Sequence, residues 1–307
     1  VLQAGGVQRL IRIIHGVPLE TAQESPQSQR VDILRSNAGT LRPFSDAVAL
    51  EEPLEIRLDV PQARGRALRS LTITMRTPGH DEELAAGFLF TEGIVRHPSD
   101  IADIRPCGTD DGVHGAHNAV RVRIADHARV EWPSLERHFY ATSSCGVCGK
   151  SSLEALRVKG LTPPARDTPR MDPHRVTTLP DRVRAAQRVF EQTGGLHAAA
   201  LLDARCELSA IREDVGRHNA VDKLLGQAFL SGATPLSDQL LFLSGRASFE
   251  LMQKALVAGL PMVVAVGAPS SLAVDLARRF DMTLVGFVRG DRFNVYHGAW
   301  RLGADAP

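Results

Sequence analysis

Thr142-Ser143-Ser144-Cys145-Gly146-Val147-Cys148-Gly149-Lys150 holds two of the four cysteines in a chain of 307 residues. Glycines and small hydroxyl residues flank the pair, and bulky side chains that would bury the sulfurs are missing. Two thiols at this spacing can form a disulfide, share one metal or act in relay. The thiolate is the nucleophile, and an unperturbed thiol ionises only near about pH 8.5. A helix starting near Gly149 and running through Ser151-Ser152-Leu153-Glu154-Ala155-Leu156 would set partial positive charge, with Lys150, beside Cys148 and Cys145. Both effects lower the thiol pKa, so the expected chemistry is that of a reactive pair, with Cys145 and Cys148 as catalytic residues. The competing reading is half of a structural zinc site. That needs a second CxxC or paired histidines, whereas Cys107 and Cys206 stand alone.

Other residues could also do chemistry. His80-Asp81-Glu82 with a CxxC downstream repeats letters of the zinc nucleobase deaminase signature. Ser144 stands where that signature has proline, and His80 is read instead as a solvated residue near a helix N-terminus. A thioredoxin-like role fits poorly, because Cys145 does not lie between an early strand and helix. In Arg212-Glu213-Asp214-Val215-Gly216-Arg217-His218-Asn219, five of eight side chains ionise readily. The run is either a solvated loop capped by Asp214 or Asn219, or a ligand loop between strand and helix. Ser244-Gly245-Arg246-Ala247-Ser248 and Gly267-Ala268-Pro269-Ser270-Ser271 are strand-to-helix turns whose free N–H groups suit phosphate; two ordinary capped helices is the alternative. Around Gly290 and Asp291, Arg289 and Arg292 either hold a nucleotide head group or make a polar hairpin turn.

These groups need a frame. Residues 15 to 47 are rich in Gln, Ser, Pro and Arg without a sustained period, and read as a flexible lead-in with order beginning near Val48. Leu54 to Val60 and Leu71 to Arg76 alternate apolar and polar residues, as hairpin strands with one wet face do. Asp81 to Glu92 reads as a helix, and Asn118 to Ile124 as a further strand. Gly160 to Arg166 looks like an exposed connector. Pro180 to Gln192 reads as one helix stopped by Gly194-Gly195, His197 to Leu202 as a strand, and Asn219 to Leu230 as a helix. Strands at 239–243, 261–266 and 283–288 then alternate with helices at 248–258 and 270–280, which predicts a mostly parallel sheet covered on both faces. The expected domains are a lead-in over 1–47, a β-rich subdomain over 48–165 ending in the CxxC loop, and an α/β domain over 166–307.

Bulk composition excludes several classes. The net charge is +1 from 36 basic and 35 acidic residues, and aromatics are 5%, so there is no nucleic-acid footprint. At 43% hydrophobic the chain can bury a real core, and four cysteines make no disulfide scaffold. The apolar patch at Leu10 to Ile14 is too short and too charged for a signal peptide, and nothing approaches a membrane span. A cytoplasmic protein is expected.

Glu51 to Arg57, Thr77 to Leu84, Gly87 to Gly93, Ser143 to Lys150, Gly194 to Ala199, Glu213 to Asp222 and Ser244 to Arg246 occur in order. Together they resemble the FdhD-like family of formate dehydrogenase accessory sulfurtransferases, from about Val48 to His297. The resemblance implies sulfur transfer from a cysteine desulfurase to the molybdenum (or tungsten) bis-guanine-dinucleotide cofactor, destined for the formate dehydrogenase catalytic subunit. It implies Cys145 as the persulfide-bearing residue with Cys148 as its partner. Phe287, Val288, Arg289, Gly290, Asp291 and Arg292 would contact the cofactor's guanine nucleotide. Asp291 between the arginines suits a diphosphate only if its carboxylate turns toward guanine N–H groups. The resemblance further implies an α/β fold, α+β overall, whose second domain is cytidine-deaminase-like with a mixed, mostly parallel sheet. A homodimer is expected, with the cofactor as bound substrate, no permanently bound cofactor and no resident metal. A cofactor-binding chaperone without sulfur transfer and a zinc-dependent deaminase-like hydrolase are the alternatives.

Overall fold

A computed structural model describes residues 26–108, 117–128, 130 and 161–304. The Cys145–Cys148 segment therefore lies outside the described residues.

Order begins earlier than the sequence pattern predicts. Strands β1 (Ser28–Asn37) and β2 (Thr40–Ala49) form an antiparallel hairpin closed by Ala38 and Gly39, both at positive φ. Its distal half is wet on both faces, with Leu34 63% and Leu41 62% exposed. Alternation is absent for that reason, and a strand without alternation reads as a lead-in.

The expected hairpin is β3 (Glu52–Pro61) with β4 (Arg66–Arg76). Strands β5 (Ile101–Cys107) and β6 (Ala119–Ile124) complete a four-stranded sheet of order β4-β3-β6-β5. Leu54, Ile56 and Leu58 alternate inward and are fully buried, worth about 1.5–3 kcal/mol each. Helix α1 (Asp81–Thr91) covers this sheet and crosses α5 (Arg217–Leu230) at Gly87 and Gly226. A Cβ at Gly87 would stand 1.8 Å from the Asp222 carbonyl oxygen, and one at Gly226 1.8 Å from that of Glu83. Only glycine permits this backbone-to-backbone approach.

The six-stranded sheet has the order β12-β11-β10-β9-β7-β8. Strands β9 (Gln239–Leu243), β10 (Met262–Ala265) and β11 (Thr283–Arg289) are parallel, linked by α6 (Phe249–Val257) and α7 (Ser271–Arg279). Strands β7 (His197–Asp203) and β8 (Leu208–Asp214) form a hairpin antiparallel to β9, and β12 (Arg292–His297) returns antiparallel to β11. The sheet is thus mixed: its parallel part is the three strands joined by helical crossovers, and the hairpins supply the rest. One hydrophobic cluster joins a face of this sheet to α1, α5–α7 and the four-stranded sheet. A second covers the opposite face beneath α2 (Pro173–Val176) and α3 (Leu179–Ala186).

Two further expectations change. The single helix over 180–192 is two, α3 and α4 (Arg188–Thr193), broken at Gln187 with φ −82° and ψ 81°. The Glu213 carboxylate accepts the Val189 and Phe190 N–H groups at 3.1 and 2.9 Å, which starts a new helix there. The charged run from Arg212 is also not a loop: Arg212, Glu213 and Asp214 end β8, and Arg217 opens α5. Among the described residues no helix is long and apolar enough to cross a membrane.

Candidate functional site at the carboxyl edge of the six-stranded sheet

Strand alternation divides the charged run between two faces. Arg212 pairs with Glu83 of α1 through two hydrogen bonds of 2.5 and 2.7 Å. Burial pushes the Glu83 carboxyl up, but the Arg212 guanidinium and His80 outweigh it and hold it at about 2. Asp214 accepts from Lys223 at 2.7 Å, from the Thr77 and Gly216 N–H groups and from the Asn219 amide. Burial pushes the Lys223 ammonium down while Asp214 draws it back up. Glu213, between them, faces the opposite way and caps α4. Most of the run is therefore structural: Gly216 is the N-cap of α5 with no side-chain cap bond, and Asp214 is a buried acceptor instead of a solvated cap.

Arg217 and His218 remain. The Arg217 Nε and His218 Nε2 atoms are buried without a hydrogen-bond partner among the described residues. The Glu250 carboxylate lies 3.9 Å from His218 Nε2, beyond hydrogen-bond reach. Beside them is the half-buried His197. Burial lowers its pKa, Arg217 and His218 lower it further, and Asp214 opposes them. Three cationic or protonatable groups thus face one another, an arrangement suited to an anion.

The strand ends supply backbone groups. Gly267 N–H donates to the Gly245 carbonyl at 2.9 Å, and Phe287 N–H to the Gly267 carbonyl at 3.2 Å. A Cβ on Gly267 would lie 2.9 Å from that Gly245 oxygen, and one on Gly245 3.3 Å from His197 Nδ1. Small residues let the three strand ends sit side by side, their backbone groups hydrogen-bonded to one another. Helices α6 and α7 are capped by Ser248 and Ser270, whose hydroxyls accept the Leu251 and Ala273 N–H groups. The turns are capped helices and also share one edge.

Phe287 to Arg292 divides into three parts. Phe287 takes φ 55°, is 39% exposed and stands in the strand-end row. The Val288 side chain is 1% exposed and belongs to the core, leaving only its backbone for a ligand. Arg289, Gly290, Asp291 and Arg292 form the exposed tight turn into β12, with Arg289 paired opposite Arg292. The hairpin turn is real, and its arginines are exposed at the same edge.

A cleft of about 480 Å³ opens at this edge, lined by Gln187, Phe190, His197, Phe242, Ser244 and Val266. Gln187 is 5% exposed, and its amide nitrogen has no hydrogen-bond partner among the described residues. The Arg184 guanidinium lies 3.8 Å over the Phe190 ring. Gln187, His197 and the capping role of Glu213 went unread in the sequence. The available signal was the lone His197 opening an otherwise apolar strand after Gly194-Gly195.

Elsewhere, His80 is solvent-facing as expected, in the left-handed region at φ 57° and 3.2 Å from Glu83. Cys206 is buried against Met171 and burial pushes its thiol up, whereas Cys107 lies part-exposed on β5.

A sequence model described as the FdhD/NarQ family matches residues 49–303, which contain both the strand-end row and the α1–α5 crossing. The chain belongs to this family. It is 51% identical over 279 residues to the sulfur carrier protein FdhD of Streptomyces coelicolor, covering 90% of this chain and 95% of that relative. The protein of the same name from Mycobacterium tuberculosis is 46% identical over 278 residues, covering 89% and 97%. A crystal structure described as a formate dehydrogenase accessory protein from Desulfotalea psychrophila superposes with a TM-score of 0.67 at 25% identity, over 90% of this chain and all of that one. The family match opens at the end of β2, so the whole mixed α/β frame is family structure.

Proposed function

We propose that this chain is a sulfur carrier acting in the maturation of formate dehydrogenase. What carries the reading is the Cys145–Cys148 pair in a chain resembling named sulfur carriers over nine-tenths of its length. In the proposed reaction, the Cys145 thiolate attacks the terminal sulfur of a cysteine desulfurase persulfide. A sulfur–sulfur bond forms on Cys145, the donor's bond breaks, and the donor leaves as a thiolate. Cys148 then attacks the Cys145 sulfur, so that sulfide departs to the metal and a Cys145–Cys148 disulfide remains for a cellular thiol to reduce.

The acceptor in this reading is the bis-guanine-dinucleotide cofactor, bound as substrate. The carboxyl edge supports that assignment. Arg217, His218 and His197 suit its phosphates, and the cleft beside Phe190 suits a flat base. Phe287 and the Arg289–Arg292 turn adjoin the same edge, with Asp291 free to accept from guanine N–H groups. The formate dehydrogenase catalytic subunit would receive the finished cofactor, and a cytoplasmic homodimer is the form proposed.

Intact mass after incubation with a cysteine desulfurase and cysteine tests the reading. A reductant-labile gain of about one sulfur, lost in Cys145→Ala, is expected. A second reading, a cofactor chaperone without sulfur transfer, is favoured by the edge cleft alone. It requires that replacing both cysteines leave formate dehydrogenase activation intact.

A further inference from the structure

Two clefts flank the corner between α3 and α4. The one at the carboxyl edge is lined by Gln187 and Phe190, and another of about 470 Å³ on the other side by Ala186, Val189 and Glu213. The corner is therefore a thin wall, and what fixes it fixes the shape of the edge cleft.

A helix start leaves its first N–H groups unpaired, and a side chain at the N-cap normally accepts one. Gln187 occupies that position in α4 and makes no such bond. Glu213 does the work from β8, 24 residues along the chain, with one carboxylate oxygen on each of Val189 N–H and Phe190 N–H. A carboxylate is suited to this task because both its oxygens accept. Glutamine at the same position offers one acceptor and turns a donor toward the second N–H. Neither neighbour can substitute, since Arg212 and Asp214 face α1 and α5.

We propose that Glu213 is a positioning residue for the edge cleft: its carboxylate latches the start of α4, so that Phe190 and Gln187 present one fixed wall to the bound nucleotide. This rests on the reading that the cleft receives the guanine nucleotide end of the cofactor. Glu213 touches no ligand in this arrangement. It acts through α4, and the buried Gln187 amide nitrogen, without a hydrogen-bond partner among the described residues, is the group it holds at the wall.

The test is calorimetric titration of the full chain with GDP, alongside hydrogen exchange at Val189 and Phe190 and persulfide loading of Cys145. Glu213→Gln should weaken GDP binding about tenfold, speed exchange at both amides and leave persulfide loading at the wild-type level. A GDP affinity within twofold of wild type despite faster exchange would overturn the proposal, since Glu213 would then support the fold alone. If wild type does not bind GDP, the nucleotide reading of the cleft falls and the proposal falls with it. The exchange data would then still report whether the latch exists. Should Glu213→Gln be insoluble, Phe190→Leu alters the wall and spares the latch. A tenfold loss of GDP affinity there supports the proposal, and unchanged affinity overturns it.

Discussion

The α1–α5 seam and the carboxyl edge use the same kinds of side chain to opposite ends. In and around the seam three buried cations each meet a carboxylate. Arg76 is fully buried and bonded to Asp81 at 2.9 and 3.0 Å, and Lys223 meets Asp214. Lys254 donates to Asp222 at 2.9 Å and to Thr91 at 2.9 Å. Burial pushes the Asp222 carboxyl up while Lys254 opposes it; burial likewise works against the Lys254 charge, but Asp222 and Glu92 outweigh it. At the edge, Arg217 and Gln187 keep buried polar nitrogens without hydrogen-bond partners among the described residues, and His218 has only a 3.9 Å ion pair with Glu250. A buried polar group left unpaired costs about 1–3 kcal/mol, which at the edge a ligand could offset.

Breaking a seam pair should have the largest effect. Lys223→Met leaves the fully buried Asp214 without its cation, at a cost of about 3–5 kcal/mol by urea denaturation. Pairing it with Asp214→Leu should recover much of that loss, because no orphan charge remains. Next comes Gly226→Ala, which drives a Cβ onto the Glu83 backbone and forces α1 from α5. We expect about 3 kcal/mol by the same measurement, at the upper end for overpacking. Arg217→Leu sharpens the contrast from the other side. It should change stability by no more than about 0.5 kcal/mol yet weaken GDP binding about tenfold, or about 1.4 kcal/mol. Equal losses in both measurements would place Arg217 in the fold instead of the site.

The smallest effect is acid-dependent. Glu83 is held at about 2 against a usual 4.5, so its folded-state pKa is depressed. The stability it contributes is present above the unfolded value and is lost as pH falls through the folded one. Wild type should therefore lose this contribution between about pH 4.5 and pH 2, whereas Arg212→Ala should have lost most of it already at neutral pH. Equal acid unfolding curves in the two proteins would refute the assignment.

Elements with one wet face and one dry face were legible in the sequence. The β3–β4 pair, α1 and the β9-α6-β10-α7-β11 succession stand close to where their periodicity placed them. The β1–β2 hairpin was not legible because neither face of its outer half is dry. The break at Gln187 was hidden for another reason: Ala186, Val189 and Phe190 keep a helical spacing, and the group that ends the helix comes from Glu213 on another strand. Strand β8 was obscured by its charges, which read as solvated although Asp214 is fully buried.

By itself the sequence determined the chemistry available: a closely spaced thiol pair, arginines and histidines before helices, and glycines at strand ends. Those depend on residue type and short spacing, which local rules read directly. Tertiary structure alone decided which charges were consumed by internal pairing. Arg212, Glu213, Asp214, Arg217 and His218 look alike along the chain, and strand alternation sends the first three into partners on α1, α4 and α5. The Arg217 and His218 side chains keep nitrogens without a hydrogen-bond partner among the described residues, because burial and pairing are set by elements far away in sequence.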